Sequence, residues 1–325
     1  NINKYIMIKL IKKLNKKLYD ILISIFIVPS ALILLKYRKR GPINHPFATK
    51  ILRKIGLFPI RDHYYDPQFI FDEGGKNFTD DRNLPAIDLN ELGQLEFIKK
   101  LTYSEELKNL NLNEESKNYG FKIRNGSFEN GDAEIYYQVI RHLKPKKIFE
   151  IGSGHSTQIC LEAIKKNKEE SGVDTNLTCV EPYENKWLEK LGIDIIRKKI
   201  EDVDIDWNKE LNAGDILFID SSHIIRPQGD VLKIYFEIIP MLKRGVIIHI
   251  HDIFTPKNYL KTWVVDHVRF WNEQYLVESL LANNNKLKVL LASNYLKNHH
   301  YEEFKLCCPY MEDDVEPSSF YIEVL

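Results

Sequence analysis

Residues 147–157 read KIFEIGSGHST. Lys147-Ile148-Phe149-Glu150 is a short apolar run ending in an acid, which predicts a buried strand. Ile151-Gly152-Ser153-Gly154 follows as a tight glycine turn, and His155-Ser156-Thr157 opens a helix through Gln158 to Lys168. A strand, a glycine turn and a helix N-terminus bring backbone N–H groups close to a ligand. Dinucleotide-binding turns of the G-x-G-x-x-G type carry a third glycine where this chain has Thr157. The carboxylate of Glu150 would also repel a pyrophosphate, so the turn suits a cationic ligand better. The plain alternative is an ordinary glycine turn in an α/β domain.

Working outward, strand and helix signals alternate from about Phe121 onward. The expected strands are 147–150, 177–181, 194–197, 215–220, 246–251, 288–292 and 320–324. Helices are expected between them, at 229–242 and as one long helix at 260–282. This alternation predicts an α/β fold, a Rossmann-like, mostly parallel seven-stranded sheet with helices on both faces.

Ligands of such sheets bind at the carboxyl ends of the strands, near the switch in strand order. Glu150 ends the first strand there. Glu181 ends the second, where a carboxylate can accept both hydroxyl protons of a ribose; its bland role is capping before Pro182. Asp202, after the third strand, is placed to accept from an adenine amino group, and Glu201 is equally placed. The cofactor candidates are therefore Glu150, Gly152, Ser153, Gly154, Ser156, Glu181, Asp202 and Asp220.

The fourth strand ends FIDSSH (218–223) and the fifth HIHDIF (249–254). Neighbouring strands lie about 4.8 Å apart, so Asp220 and Asp252 should meet at one sheet edge. His249 and His251 share a face because strand side chains alternate, and His223 can swing in from its loop. Two carboxylates with imidazoles suit Mg, Mn, Fe or Zn. The metal candidates are Asp220, His223, His251 and Asp252, and the catalytic candidates His223, His251 and Asp252. A metal would lower the pKa of an acceptor hydroxyl; without one, His223 or His251 would be the general base. Any single histidine here has the bland alternative of bonding a backbone carbonyl.

Two further segments carry paired readings. Gly131-Asp132-Ala133-Glu134 is a helix start with acids in its first turn, or places an acid at the mouth of the cofactor site. Trp271, Gln274 and Tyr275 share a face by helical spacing, as acceptor-pocket lining or as aromatic packing.

The chain has 46 basic and 46 acidic side chains in 325 residues, so nothing global argues for a nucleic-acid partner. Four cysteines without C-x-x-C spacing suit a reducing, cytoplasmic compartment. Three regions are expected: 1–40, a hydrophobic and basic helical extension; 41–120, a lead-in or cap; and 121–325, the catalytic domain. In the lead-in, 56–67 and Gly74-Gly75 read as loop, and about 90–107 as one helix.

Residues 21–35 are almost wholly apolar, with lysines before them and Lys36, Arg38, Lys39 and Arg40 after. The run is shorter than the roughly 18–20 residues that span a bilayer, and Pro29 is expected to break it. Basic residues on both flanks fit a re-entrant or in-plane anchor with both ends cytoplasmic, in contact with the inner membrane face through residues 19–40. The alternatives are a true single span, and a hydrophobic helix packed on the catalytic domain or a partner subunit. A homo-oligomer stays open.

EIGSGHST, FIDSSH, the Gly229-Asp230 helix start and IHIHDIF together resemble a bacterial class I S-adenosylmethionine (SAM) methyltransferase family, of the group that includes macrocin-type O-methyltransferases. The resemblance covers about Phe121 to Leu325, and the FPIRDHYY lead-in extends it. It implies an antiparallel last strand, methyl transfer from SAM, and cofactor roles for Glu150, Gly152, Gly154 and Glu181. In metal-dependent members acids after the fourth and fifth strands hold the ion, which Asp220 and Asp252 match. The departure is the histidine content at 223, 249 and 251. The expected reaction is O-methylation of a small-molecule or saccharide hydroxyl, with histidine or metal assistance. The rivals are another SAM-derived group transferase on this fold, and a metal-dependent hydrolase or oxygenase that uses the Asp/His cluster without SAM.

Overall fold

The computed structural model describes residues 2–60, 78–183, 185–267 and 269–325. The chain forms two compact units, Asn1–Lys76 and Asn77–Leu325. Most of the FPIRDHYY lead-in, with Gly74-Gly75, lies outside the described residues.

In the first unit, α1 (Ile2–Arg40) runs continuously through Pro29. The expected break is absent. Proline removes one N–H from the helix ladder, and the next residue donates its Ser30 hydroxyl to the Phe26 carbonyl at 2.9 Å. Lys16–Arg40 thus forms 25 helical residues of mean hydropathy 2.3 in their most apolar window, long enough to cross a bilayer. A second helix, α2 (Pro46–Ile55), starts on a proline and stops at Gly56, whose φ of 82° is left-handed. The Tyr37 and Thr49 hydroxyls, 2.8 Å apart, tie α2 to the end of α1.

The second unit opens with two short helices, α3 (Glu91–Ile98) and α4 (Ser104–Leu110), where one was expected. Then come α5 (Asp132–Leu143), β1 (Lys147–Ile151), α6 (His155–Ser171), β2 (Asn176–Val180), β3 (Asp194–Ile196), the single turn α7 (Trp207–Glu210), β4 (Ile216–Ile219), α8 (Asp230–Lys233) and β5 (Ile247–Ile250). The unit ends with α9 (Glu273–Leu281), β6 (Leu287–Ala292), α10 (Ser293–His299), α11 (Tyr301–Cys307) and β7 (Phe320–Val324). The strands form one sheet in the order β3-β2-β1-β4-β5-β7-β6. β7 runs antiparallel between β5 and β6, and the other pairs are parallel. The expected seven strands and antiparallel last strand are all present.

Alternation along the strands builds two cores. Ile148, Leu177, Ile216 and Ile247 face one side, with α5 and α6 residues such as Ile140 and Ile164. Phe149, Val180, Leu217 and Ile248 face the other, with Trp207, Val231 and Val277. Strand order reverses between β1 and β4, which pair in parallel with Ile151 opposite Ile219. The crevice beyond their carboxyl ends is where a sheet of this kind takes its ligand.

The expected long helix 260–282 is not formed. A short π-helical turn, Thr262–Asp266, is followed by a break, and α9 begins only at Glu273. The His223 carbonyl accepts the N–H groups of Asn272 (2.9 Å) and Glu273 (3.1 Å), which fixes the new start.

Candidate active site

Gly152 follows β1 with φ 80°, and a Cβ there would lie 1.8 Å from the Asp220 carbonyl oxygen. Only glycine lets the two loops meet this closely. The Gly152 N–H donates to Val180 O (3.0 Å), and the Asp220 N–H to Ile151 O (2.8 Å). The turn is therefore stitched to β2 and β4. Gly154 caps α6, and its N–H donates to Thr157 Oγ1 at 3.1 Å.

Glu150 points away from the crevice, into the α6 interface. Its carboxylate accepts the hydroxyls of Ser156 and of Thr157 (2.8 Å) and is fully buried. Burial pushes its pKa up to about 7 against those hydrogen bonds. Glu150 and Ser156 thus hold the turn's shape from behind, whereas the sequence reading set them against the ligand. Glu181 does face the turn: it accepts the Ser153 N–H at 3.3 Å and the Tyr183 N–H at 3.0 Å. Ser153 Oγ is buried without a hydrogen-bond partner. Asp202 is exposed at the end of a 3-10 turn (Ile200–Asp202), and Glu201 beside it is half-buried.

Asp220, His223 and Asp252 offer ligand atoms all within 4.8 Å of one another. His223 Nε2 lies 3.2 Å from Asp220 Oδ1 and 3.3 Å from Asp252 Oδ2. His251 Nδ1 faces the same pair, 3.7 Å from Asp220 and 3.5 Å from Asp252. His223 (φ 59°) and Asp252 (φ 61°) both take the left-handed backbone region that non-glycine residues rarely occupy. Sharp turns at the ends of β4 and β5 aim them inward.

Each imidazole is anchored from behind by a buried acid. His223 Nδ1 bonds Glu273 Oε2 at 2.8 Å, and Glu273 Oε1 accepts the Tyr235 hydroxyl at 3.0 Å. His251 Nε2 lies 3.3 Å from Asp132 Oδ2. Asp132 is itself fixed by the N–H groups of Ser318 (2.9 Å) and Ser319 (2.7 Å). Anchoring one nitrogen sets the tautomer and orients the other, as carboxylates do behind metal-bound histidines.

Electrostatics follow this geometry. Burial opposes charge on His223, but Asp220, Glu273 and Asp252 outweigh it and raise its pKa to about 10. Burial likewise opposes charge on His251, yet Asp252, Asp220 and Asp132 hold its pKa well above the ordinary range. Asp220 is driven down: burial alone would raise it, and the two imidazoles prevail. Asp252 is raised, chiefly by burial.

The structure thus brings together Asp220, His223, His251 and Asp252, and leaves His249 out. His249 Nε2 pairs with Ser319 Oγ at 2.8 Å, and its ring stacks on Tyr321 with centroids 4.0 Å apart. Burial lowers its pKa well below 6.5, so it is a neutral core residue. Glu273 and Tyr235 escaped sequence reading because Glu273 sits in what looks like mid-helix, 50 residues from its partner. Asp132 lies behind His251, while Glu134 accepts the Gly131 N–H at 2.9 Å as a helix cap does. Trp271 precedes α9, so the helical face expected for Trp271, Gln274 and Tyr275 does not form, although all three meet Tyr259. Trp271 packs on the His223 ring (centroids 4.3 Å apart), Gln274 is buried and accepts the Phe254 N–H at 2.7 Å, and Tyr275 is exposed. Arg269 completes the wall, its guanidinium 4.4 Å from the Trp271 centroid.

The donor set suits a divalent cation. Two carboxylates and two imidazole nitrogens converge, and His251 Nδ1 is buried with no hydrogen-bond partner.

Residues 149–253 match the family Methyltransf_24, described as a methyltransferase domain. An uncharacterized protein of Archaeoglobus fulgidus is 29% identical over 143 residues, which cover 42% of this chain and 63% of that protein. The matched part of the chain thus spans under two thirds of that relative. Among solved structures, cmcI-D160 with Mg and SAM is similar at a TM-score of 0.37 and 13% identity, covering 61% of this chain and 72% of that one. An O-methyltransferase from Bacillus cereus in complex with S-adenosylhomocysteine (SAH) is similar at a TM-score of 0.35 and 12% identity, covering 71% and 90%. Residues 149–253 thus resemble a methyltransferase domain, within a sheet whose strand order reverses between β1 and β4.

Proposed function

We propose that this domain transfers the methyl group of SAM to a hydroxyl of a small-molecule or saccharide acceptor, held at the Asp220/His223/His251/Asp252 cluster. The observation that carries the reading is the pair of inward-facing imidazole nitrogens, each backed by a buried acid and aimed at one carboxylate pair. The glycine turn meets Asp220 directly, so donor and acceptor crevices adjoin. Glu181, turned toward Ser153, is placed for the ribose of SAM, with Gly152, Ser153 and Gly154 lining the approach.

The chemistry is a direct displacement: the acceptor oxygen forms a bond to the methyl carbon as the carbon–sulfur bond breaks, and the electron pair leaves on sulfur. The domain's main contribution is to align the two partners. His223 Nε2 and His251 Nδ1 turn inward as hydrogen-bond donors toward the acceptor oxygen, their rings held protonated by the acids around them, and the Asp252 carboxylate, raised by burial, is the group to take the proton that the hydroxyl releases. Glu273 and Asp132 stabilise the imidazolium charge. Trp271 covers His223 and keeps water from that side. A divalent ion held by Asp220, His223, His251 and Asp252 would supply Lewis acidity that makes an alkoxide accessible near neutral pH.

The test is calorimetric titration of SAM and SAH into metal-stripped protein, repeated with Mg, Mn, Fe(II) and Zn. Saturable binding of both nucleosides is expected without metal, and divalent binding that Asp252→Asn weakens. Failure of SAM and SAH to bind under every condition would overturn the methyl-transfer reading and favour a SAM-independent metal hydrolase or oxygenase.

A further inference from the structure

We propose that residues 16–60 dock on an anionic lipid bilayer, with α1 entering the hydrocarbon and α2 lying in the headgroup layer beside it. The methyltransferase domain, on the same chain, is thereby confined to a membrane.

Charge points to the partner. Residues 21–60 contain no Asp or Glu, yet carry Lys36, Arg38, Lys39, Arg40, Lys50, Arg53 and Lys54. Such a basic stretch next to an apolar helix is complementary to anionic headgroups.

The interior of α1 meets the demands of lipid. Between Asp20 and Lys36 the only polar side chains are Ser24 and Ser30. Both return their hydroxyls to carbonyls four residues back, at 2.8 and 2.9 Å, so neither brings an unsatisfied donor into hydrocarbon. Tyr19 and Tyr37 bracket this stretch about 27 Å apart at 1.5 Å per helical residue. That is close to the roughly 30 Å of a bilayer core, with an aromatic residue at each interface.

The geometry of α2 adds an independent observation. Phe47, Ile51 and Ile55 fall on one face at a spacing of four residues, and are 85%, 57% and 71% exposed. Lys50 and Lys54 border that face on one side, and Arg53 lies nearly opposite it. Thr49 is held by the Tyr37 hydroxyl at 2.8 Å, which fixes α2 at the basic end of α1. Beyond Gly56, Leu57 and Phe58 extend the exposed apolar surface. An amphipathic helix of this charge pattern lies in the interface with its apolar face toward the acyl chains, and lysine stems beside that face reach back to the phosphates.

The experiment uses the full chain reconstituted into phosphatidylcholine vesicles with and without phosphatidylglycerol. The native cysteines are buried, so nitroxides on the single variants Ile51→Cys and Arg53→Cys report local depth. In vesicles containing phosphatidylglycerol, the Ile51 label is expected to be several-fold more accessible to oxygen than to a nickel chelate, and the Arg53 label the reverse. Adding Lys50→Glu and Lys54→Glu should abolish the oxygen preference at position 51 while the protein stays with the vesicles. Equal nickel exposure at both positions, or failure to float with vesicles, would overturn the proposal. So would an Ile51 label shielded from both reagents with spin coupling between chains, which would assign this face to a second copy.

Discussion

A Cβ on Gly152 would stand 1.8 Å from the carbonyl oxygen of Asp220. The donor-side turn and the first member of the Asp/His cluster are thus in backbone contact, and neither can move without the other. Gly152→Ala combines this overlap with a φ of 80°. It should cost about 2–4 kcal/mol in urea unfolding and abolish SAM binding by calorimetry. Retention of wild-type SAM affinity would refute the coupling.

Asp252→Asn separates chemistry from folding. Asparagine tolerates the left-handed backbone at this position, and its amide keeps one oxygen toward Ser318, whose hydroxyl donates to Asp252 Oδ1 at 3.1 Å. Methyl transfer should fall by about 100-fold or more, the scale of losing a group that handles the reacting proton. SAM affinity should stay within a factor of about two. Single-turnover rates beside titration distinguish these effects.

Glu273→Gln tests the anchor behind His223. It removes the charge that fixes Nδ1 while keeping a hydrogen-bonding side chain of equal size. If the cluster holds a divalent ion, its affinity should drop about 10–100-fold, the scale seen for carboxylates behind metal-bound histidines. Tyr235→Phe, which leaves the Glu273–His223 contact in place, should have a smaller effect in the same titration.

Glu150 makes a prediction about pH. Its pKa is raised by burial from an ordinary 4.5 to about 7. Between those values the folded protein binds more protons than the unfolded chain, so stability falls as pH rises through the window. The stabilising contribution is fully present below about pH 4.5 and lost above about pH 7, a swing of roughly 3 kcal/mol. Glu134, raised to about 7 by the same cause, adds to the slope. Glu150→Gln should remove only the first contribution. The check is the difference in denaturation midpoint between variant and wild type from pH 4.5 to 7.5; a difference that does not change with pH would refute the burial argument.

The strands were readable because burial on both faces leaves short, mostly apolar runs rich in isoleucine, such as ILFI (216–219) and IIHI (247–250), which few other local structures need. The Asp220–Asp252 encounter was readable for the same reason: both acids follow neighbouring strands. Tertiary hydrogen bonds hid the rest. A carbonyl from His223 restarts a helix that periodicity alone would continue, and that break sets Trp271 against His223. Glu150 looks like a ligand acid because of where it ends its strand, yet two hydroxyls of the following helix draw it inward. Pro29 looks like a helix breaker, but the helix around it has other ladder bonds enough to continue. His249 and His251 share a face, and what separates a core imidazole from a site imidazole is two residues of depth along β5.

β7 enters the sheet between β5 and β6, and Ser318 and Ser319 just before it hold Asp132, Asp252 and His249. On a ribosome, the glycine turn and the first five strands emerge well before these serines. A nascent chain therefore exposes the glycine turn early, while the acid–imidazole cluster lacks its serine partners until residues 318 and 319 are made. The order of synthesis thus sets the cluster's last bonds well after those of the turn.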